Sequence, residues 1–466
     1  MDYRHIPSRP HARNAASGVR LGADGSGWHD SSVIRDPVEN RPARRQARLG
    51  LAPGFAPRHL YSYLYAAFIT IGLLAFVSFF QTYLMNVNLA LPAAVQGRTV
   101  AALNFANELL ALCLVAPFGA LADKIGRRAV YACGFLWLAA GFMLYAGARS
   151  VPALAACALF FSVGVAAVGT MLGTVLADTP QESSRGRLVG IAGVCQGLGA
   201  LTLVAILGNT PKWLKDAGFD QLTAGRITLW IAAAASAVSA VVVFAGLKRG
   251  TPSERAPAMP VMRILREGAA AVRGNPRILL SYLLQFGSFG DRVVLGTFLM
   301  LRLQQAWLER GASMAEAASR ARLPFIAAMA AGLATALAVG FLLDRVDRMR
   351  VGVAAMALAA LAYLLCGFIT DPAQGGLMVA VAVLLGVGQI AAIICGQTLL
   401  GQEAPRDVRG AVFGLAGICA SAAILFTNGI GGWLYDTVSR GGPFFLLAGV
   451  NFAIFLFGLR LVSRAD

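Results

Sequence analysis

Composition, long apolar runs and one repeated turn together point to an all-α polytopic membrane protein with twelve transmembrane helices in two pseudo-symmetric six-helix bundles. Of the 466 residues, 57% are hydrophobic and 14% charged, and the mean hydropathy is +0.66. Soluble domains carry about 25% charged residues. Twelve apolar runs approach the roughly 20 residues that a helix needs to cross a bilayer. A short charged turn, Gly119 to Arg128, returns in degraded form at Gly340 to Arg348, at the same place in the second half.

In chain order, residues 1–58 are rich in Arg, Gly, Pro and Ser without any apolar periodicity, the pattern of a disordered cytoplasmic tail. The stretch is too long and too polar for a secretory signal. Its run Arg41 to Arg48 is basic enough to touch anionic headgroups. The first bundle then occupies 59–247, with expected crossings at 61–85, 100–121, 129–148, 153–177, 188–208 and 228–247. A cytoplasmic linker at 248–278 follows, with an amphipathic helix expected around Val261 to Val272 at the membrane surface. The second bundle, 279–466, has expected crossings at 279–300, 323–343, 351–370, 376–400, 411–432 and 443–459.

Basic residues near span ends stay on the cytoplasmic side. With both termini inside, the five inner loops hold seventeen Lys plus Arg and the six outer ones ten. The exception is the loop after the seventh run, with Arg302, Arg310, Arg320 and Arg322. Within it, Ser313 and Glu316 have capping-box spacing, which predicts a short helix at the outer surface.

The formal charge of +17 does not indicate a nucleic-acid partner, because the basic residues are spread over the tail and the short turns. All seven cysteines sit inside apolar runs without C-x-x-C spacing, and all four histidines precede the first run. Neither disulfide nor metal nor cofactor is expected.

Gly119-Ala-Leu-Ala-Asp123-Lys-Ile-Gly126-Arg127-Arg128 fills the pattern G-x-L-A-D-[RK]-x-G-R-[RK]. The second copy keeps its Gly-to-Asp spacing through Gly340, Asp344, Arg345 and Arg348. A further repeat places Arg-Gly at the start of the next helix in both halves, at Arg185 after Glu182 and at Arg409 after Asp407. With these motifs the chain resembles the major facilitator superfamily over residues 60–463. The resemblance implies two six-helix halves related by an axis along the membrane normal. It further implies that Asp123 lies near the start of the eleventh helix, around Gly410 to Gly414, and pairs with Arg127 and Arg185, with Glu182 nearby. On that basis Gly119, Asp123, Gly126, Arg127, Arg128, Glu182, Arg185, Gly340, Asp344, Arg345, Arg348 and Arg409 form a gating set. The alternative is a turn that only fixes topology.

Inside the expected spans stand two carboxylates, Glu108 and Asp291, and one cation, Arg292. Charge within a membrane costs at least about 2.5 kcal/mol per residue, so each is a functional candidate facing the bundle interior. Glu108 shares a helix face with Asn104, and counting back from Asp123 places it in the outer half of the membrane. Asp291 and Arg292 lie close to mid-membrane in the seventh run, after Gln285 and among glycines that weaken the helix. The resemblance assigns the seventh and tenth helices to a central cavity, which adds Gln285 and Gln389 to the substrate or proton candidates. A carboxylate withdrawn from water holds a proton more readily, and a guanidinium grips an anionic group with two hydrogen bonds. Alternatively, Asp291 and Arg292 form a permanent structural pair with each other or with Glu108.

These observations predict a monomeric secondary transporter for a small organic solute, in an inner-membrane setting and coupled to protons. The alternatives are an uncoupled facilitator and a multidrug efflux antiporter. The latter is disfavoured because the fifth run lacks a Gly-Pro pair and the fourth lacks an arginine. An intramembrane enzyme or receptor is disfavoured because no nucleophile, base and metal converge.

Overall fold

A computed structural model describes residues 51–465 apart from 53, 182, 183, 251–260, 344, 374 and 406. The expected tail, Glu182 and Asp344 therefore lie outside the described residues. The first six crossings are α1 (Pro57–Val87), α2 (Ala93–Ile125), α3 (Arg127–Gly147), α4 (Val151–Asp178), α5 (Arg185–Leu207) continued by the short α6 (Thr210–Asp216), and α7 (Gln221–Gly246). The connecting helix α8 (Val261–Gly274) follows. The seventh crossing is composite, running through α9 (Pro276–Val293), a π-helical turn at Val294–Phe298 and α10 (Leu299–Glu309). Then come α11 (Met314–Leu342), α12 (Arg348–Phe368), α13 (Gly375–Glu403), α14 (Arg409–Thr437) and α15 (Gly442–Ala465). Among the described residues, twelve helices are long and apolar enough to cross a membrane.

Helix starts follow the local sequence. Ser150, Asp220 and Asp347 each accept a backbone N–H with their side chains, at Ala153, Thr223 and Met349, which satisfies donors that the helix leaves open. Gly126, at φ 95°, makes the left-handed turn between α2 and α3.

The seventh and eighth crossings depart from expectation. The box at Ser313 and Glu316 forms, with the Glu316 carboxylate accepting the Ser313 N–H at 3.0 Å, but it starts α11 itself, which continues through Pro324 to Leu342 without a break. Arg302, Arg320 and Arg322 consequently lie within helices, and only Arg310 stands at the turn. Two of these charges, Arg302 and Arg320, are accommodated locally, while the Arg322 Nε is buried without a hydrogen-bond partner among the described residues. Arg302 is 6% exposed and donates to the Cys366 and Ile369 carbonyls, and Arg320 lies 4.5 Å from the Trp307 ring centroid.

Small residues set the close contacts within each half. A Cβ added at Gly199 of α5 would overlap the Phe68 carbonyl of α1, and one at Gly386 of α13 the Ala328 carbonyl of α11. The halves meet through α2 with α14 and through α5 with α11. The α2–α14 pairing is tight at the end away from the Asp123 turn, where a Cβ at Gly432 would overlap Ala101. Toward the turn the two helices diverge, leaving Leu109, Leu112, Val115, Leu121 and Ile125 of α2 and Phe413 of α14 exposed. The bundle is closed at this far end and splayed at the end carrying the repeated turn. Helix α8 does form and seats Gly268 against Leu415 of α14.

Candidate substrate cavity and gates

Because α2 begins at Ala93, seven residues before the expected run, Glu108 lies fifteen residues into it and seventeen before its end at Ile125. At a rise of about 1.5 Å per residue this is the middle of the helix. The Glu108 carboxylate is half-buried, has the Ser421 side chain of α14 beside it and feels the charge of Arg292. Arg292 is enclosed by protein yet its side chain is exposed, which is the situation of a group lining an internal cavity. Its guanidinium lies 5.0 Å from the Phe289 ring centroid. Among the described residues no ion pair within 4.0 Å joins Arg292 to Glu108.

Asn104, one turn before Glu108, accepts from Gln81 Nε2 at 3.3 Å and donates to Thr297 Oγ1 at 3.1 Å. It thereby ties α1, α2 and the π-helical turn together just beyond the Glu108 and Arg292 level. Such wide turns recur at functional sites. Gln285 is buried against Gly396 of α13, and Gln389 shares that helix face two turns away. The Gln389 Oε1 is buried without a donor.

Asp291 departs from the expected cavity position. Its side chain is fully buried inside the second half, where Asn451 Nδ2 of α15 donates to its Oδ1 at 2.8 Å. Tyr363 of α12 donates to the Asp291 carbonyl at 2.8 Å. Adjacent residues on a helix point about 100° apart, so when Arg292 faces the cavity Asp291 turns into the bundle. No ion pair joins the two among the described residues.

At the motif end, Asp123 pairs with Arg127, and Arg127 Nε reaches Asp178 Oδ2 at 2.7 Å. Asp178, the last residue of α4, is a partner that the sequence analysis did not single out; its signal is an acid two residues before Pro180, facing the basic turn. Among the described residues no hydrogen bond or ion pair joins Asp123 to α14, whose first residues Arg409 and Gly410 are exposed. Around Gly119 and Gly340 an added Cβ would meet open space, so neither supports a close helix approach in this conformation. Arg128 lies 4.2 Å from the Phe244 ring centroid. Arg348 donates to Gln402 Oε1 at 3.1 Å and Arg409 to the Gly401 carbonyl at 3.1 Å, while Arg345 is exposed in its turn. Arg185 opens α5.

The far end holds a contact set that sequence reasoning missed. Asp436, in the last turn of α14, accepts the Gly97 N–H at 3.1 Å and the Arg98 N–H at 2.7 Å, both near the start of α2. Beside it Tyr435 donates to Gln305 Oε1 at 2.8 Å, and Gln305 Nε2 donates to Gln96 Oε1 at 3.0 Å. The one available signal was an acid after the glycines Gly429, Gly431 and Gly432, where two helices approach closely.

The Major Facilitator Superfamily model matches residues 71–319 and 307–466. Among curated proteins, the magnetosome protein MamH of Paramagnetospirillum magneticum is 27% identical over 422 residues, 87% of this chain and 93% of that protein. The magnetosome protein MamZ of the same organism is 23% identical over 91% of this chain, which spans 66% of MamZ. Among solved structures, the nucleoside transporter NupG superimposes with a TM-score of 0.66 at 14% identity, covering 86% of this chain and 98% of NupG. A D-xylose-proton symporter gives 0.63 at 13%, covering 86% and 97%. At such identities these likenesses concern the fold. The family match across both six-helix halves settles kinship: the chain belongs to the Major Facilitator Superfamily, an integral membrane protein built on a transporter fold.

Proposed function

We propose that the chain is a secondary transporter that carries a small organic solute by alternating access, its halves rocking about a midplane cavity at Glu108 and Arg292. The observation that carries this reading is the arrangement of that cavity: two accessible charges at mid-membrane, one from each half, beneath a closed far end and above a splayed motif end. The Asp123 turn acts as the latch at the motif end, which is cytoplasmic. Glu108 takes the coupling proton, since Asp291 is sealed from the cavity. The setting is a bacterial inner membrane with both termini inside and the monomer as the working unit. The names of MamH and MamZ add the magnetosome as a second setting, which localisation of a tagged chain decides.

The test is uptake and efflux of a solute library in proteoliposomes, with and without an imposed pH gradient. Absence of flux for every member would end the transport reading. Flux in the Glu108→Gln variant that kept the wild-type response to the pH gradient would remove the coupling role and leave an uncoupled facilitator.

A further inference from the structure

Glu108 and Arg292 carry opposite charges on opposite halves and face one cavity, and among the described residues no ion pair within 4.0 Å joins them. Each has a neutral neighbour of its own, Glu108 the Ser421 side chain and Arg292 the Phe289 ring. Charges left this way in a protein interior call for partners.

Resting on the transport reading for the place of the site, we propose that the solute is zwitterionic: an anionic group docks on Arg292 and an ammonium docks on Glu108. An anion alone would satisfy Arg292 but meet the Glu108 carboxylate with like charge. A cation alone would reverse the mismatch. A solute with both charges also ties the two halves together at the midplane, because its anchors belong to different bundles, so its binding favours closure of the splayed end.

The test uses full-length protein in lipid nanodiscs and thermal shift with ω-aminocarboxylates carrying one to four methylenes between ammonium and carboxylate. Chain-matched carboxylates and alkylamines serve as singly charged probes. At least one aminocarboxylate is expected to stabilise the protein at a concentration at least tenfold below either matched probe. Arg292→Gln and Glu108→Gln are each expected to weaken that response at least tenfold, and Arg292→Lys to keep part of it, which separates recognition from loss of folding. Equal stabilisation by a singly charged probe, or no response to any aminocarboxylate from folded protein, overturns the proposal. Binding of an aminocarboxylate without its flux in proteoliposomes would instead overturn the transport reading alone.

Discussion

Replacing Asp436 by Asn should unbalance the two ends of the molecule. The carboxylate side chain is 1% exposed and accepts two backbone N–H groups near the start of α2, at 3.1 and 2.7 Å. Arg98 also approaches it at 3.3 Å, but that side chain is 55% exposed, so the ion pair contributes little. The weight rests on the two charge-assisted bonds, which are worth roughly 1.5–3 kcal/mol each. An amide of the same shape has one accepting oxygen, so it keeps one bond, without charge, and points its NH2 at the other N–H. The loss is about 2 kcal/mol, and at about 1.4 kcal/mol per factor of ten the closed far end should become roughly thirtyfold less favoured. Spin labels at Ala94 and Thr437, which flank one far-end crevice, would report this by pulsed EPR in a background without the seven cysteines. The long-distance population should grow in Asp436→Asn and change less than about threefold in Arg98→Ala. An unchanged distance distribution in Asp436→Asn, or an equal shift in both variants, would refute the assignment of the far-end contact to the carboxylate.

Other expectations follow from the same geometry. Asp291→Ala leaves the Asn451 amide without its acceptor and should lower stability by about 1–3 kcal/mol, read as a fall in melting temperature, whereas Asp291→Asn keeps an acceptor and should retain transport. Gly199→Ala and Gly386→Ala drive a methyl into a backbone carbonyl that cannot swing aside and should each cost about 1–3 kcal/mol or more. Gly193→Ala, where an added Cβ meets open space, should fold as well as wild type in the same melting assay. Arg127→Gln removes two half-exposed ion pairs, a loss of about 1 kcal/mol in total. On the latch reading it frees Asp123 to seek α14, so the splayed end should close more often in the corresponding pulsed EPR measurement.

Crossing number and family were legible because both are written in features that tertiary contacts do not alter: apolar length, and a charged turn that occurs twice. The seventh and eighth crossings were not, because hydropathy registers a charge without its partners. Arg302 counts as a loop residue until the Cys366 and Ile369 carbonyls are placed beside its guanidinium. Glu108 was found but the start of its helix was set seven residues late, since the polar start of α2, Ala93 to Thr99 with Gln96 and Arg98, does not look like membrane. Asp291 and Arg292 are neighbours in sequence and equally expensive in lipid, and nothing local says which one faces inward. The decision lies with Asn451, 160 residues away.

The two ends also share one physical device that neither motif announces by itself. Asp436 stands in the last turn of α14, and Asp123 two residues before the end of α2. A carboxylate at a helix C-terminus is repelled by the partial negative charge of its own helix and attracted to the positive start of another. Because α2 and α14 run antiparallel across the interface, the end of each lies beside the start of the other. In the conformation described, Asp436 has reached the start of α2, while Asp123 is left with Arg127 and the start of α14 is open. Closure of the splayed end on the proposed reading would bring Asp123 to α14 as the rocking draws Asp436 away from α2. One acid-to-helix contact is then made as the other breaks, so neither state gains a large advantage from its latch. The difference that remains is small enough for a bound solute, whose anchors also lie one in each half, to decide which end opens.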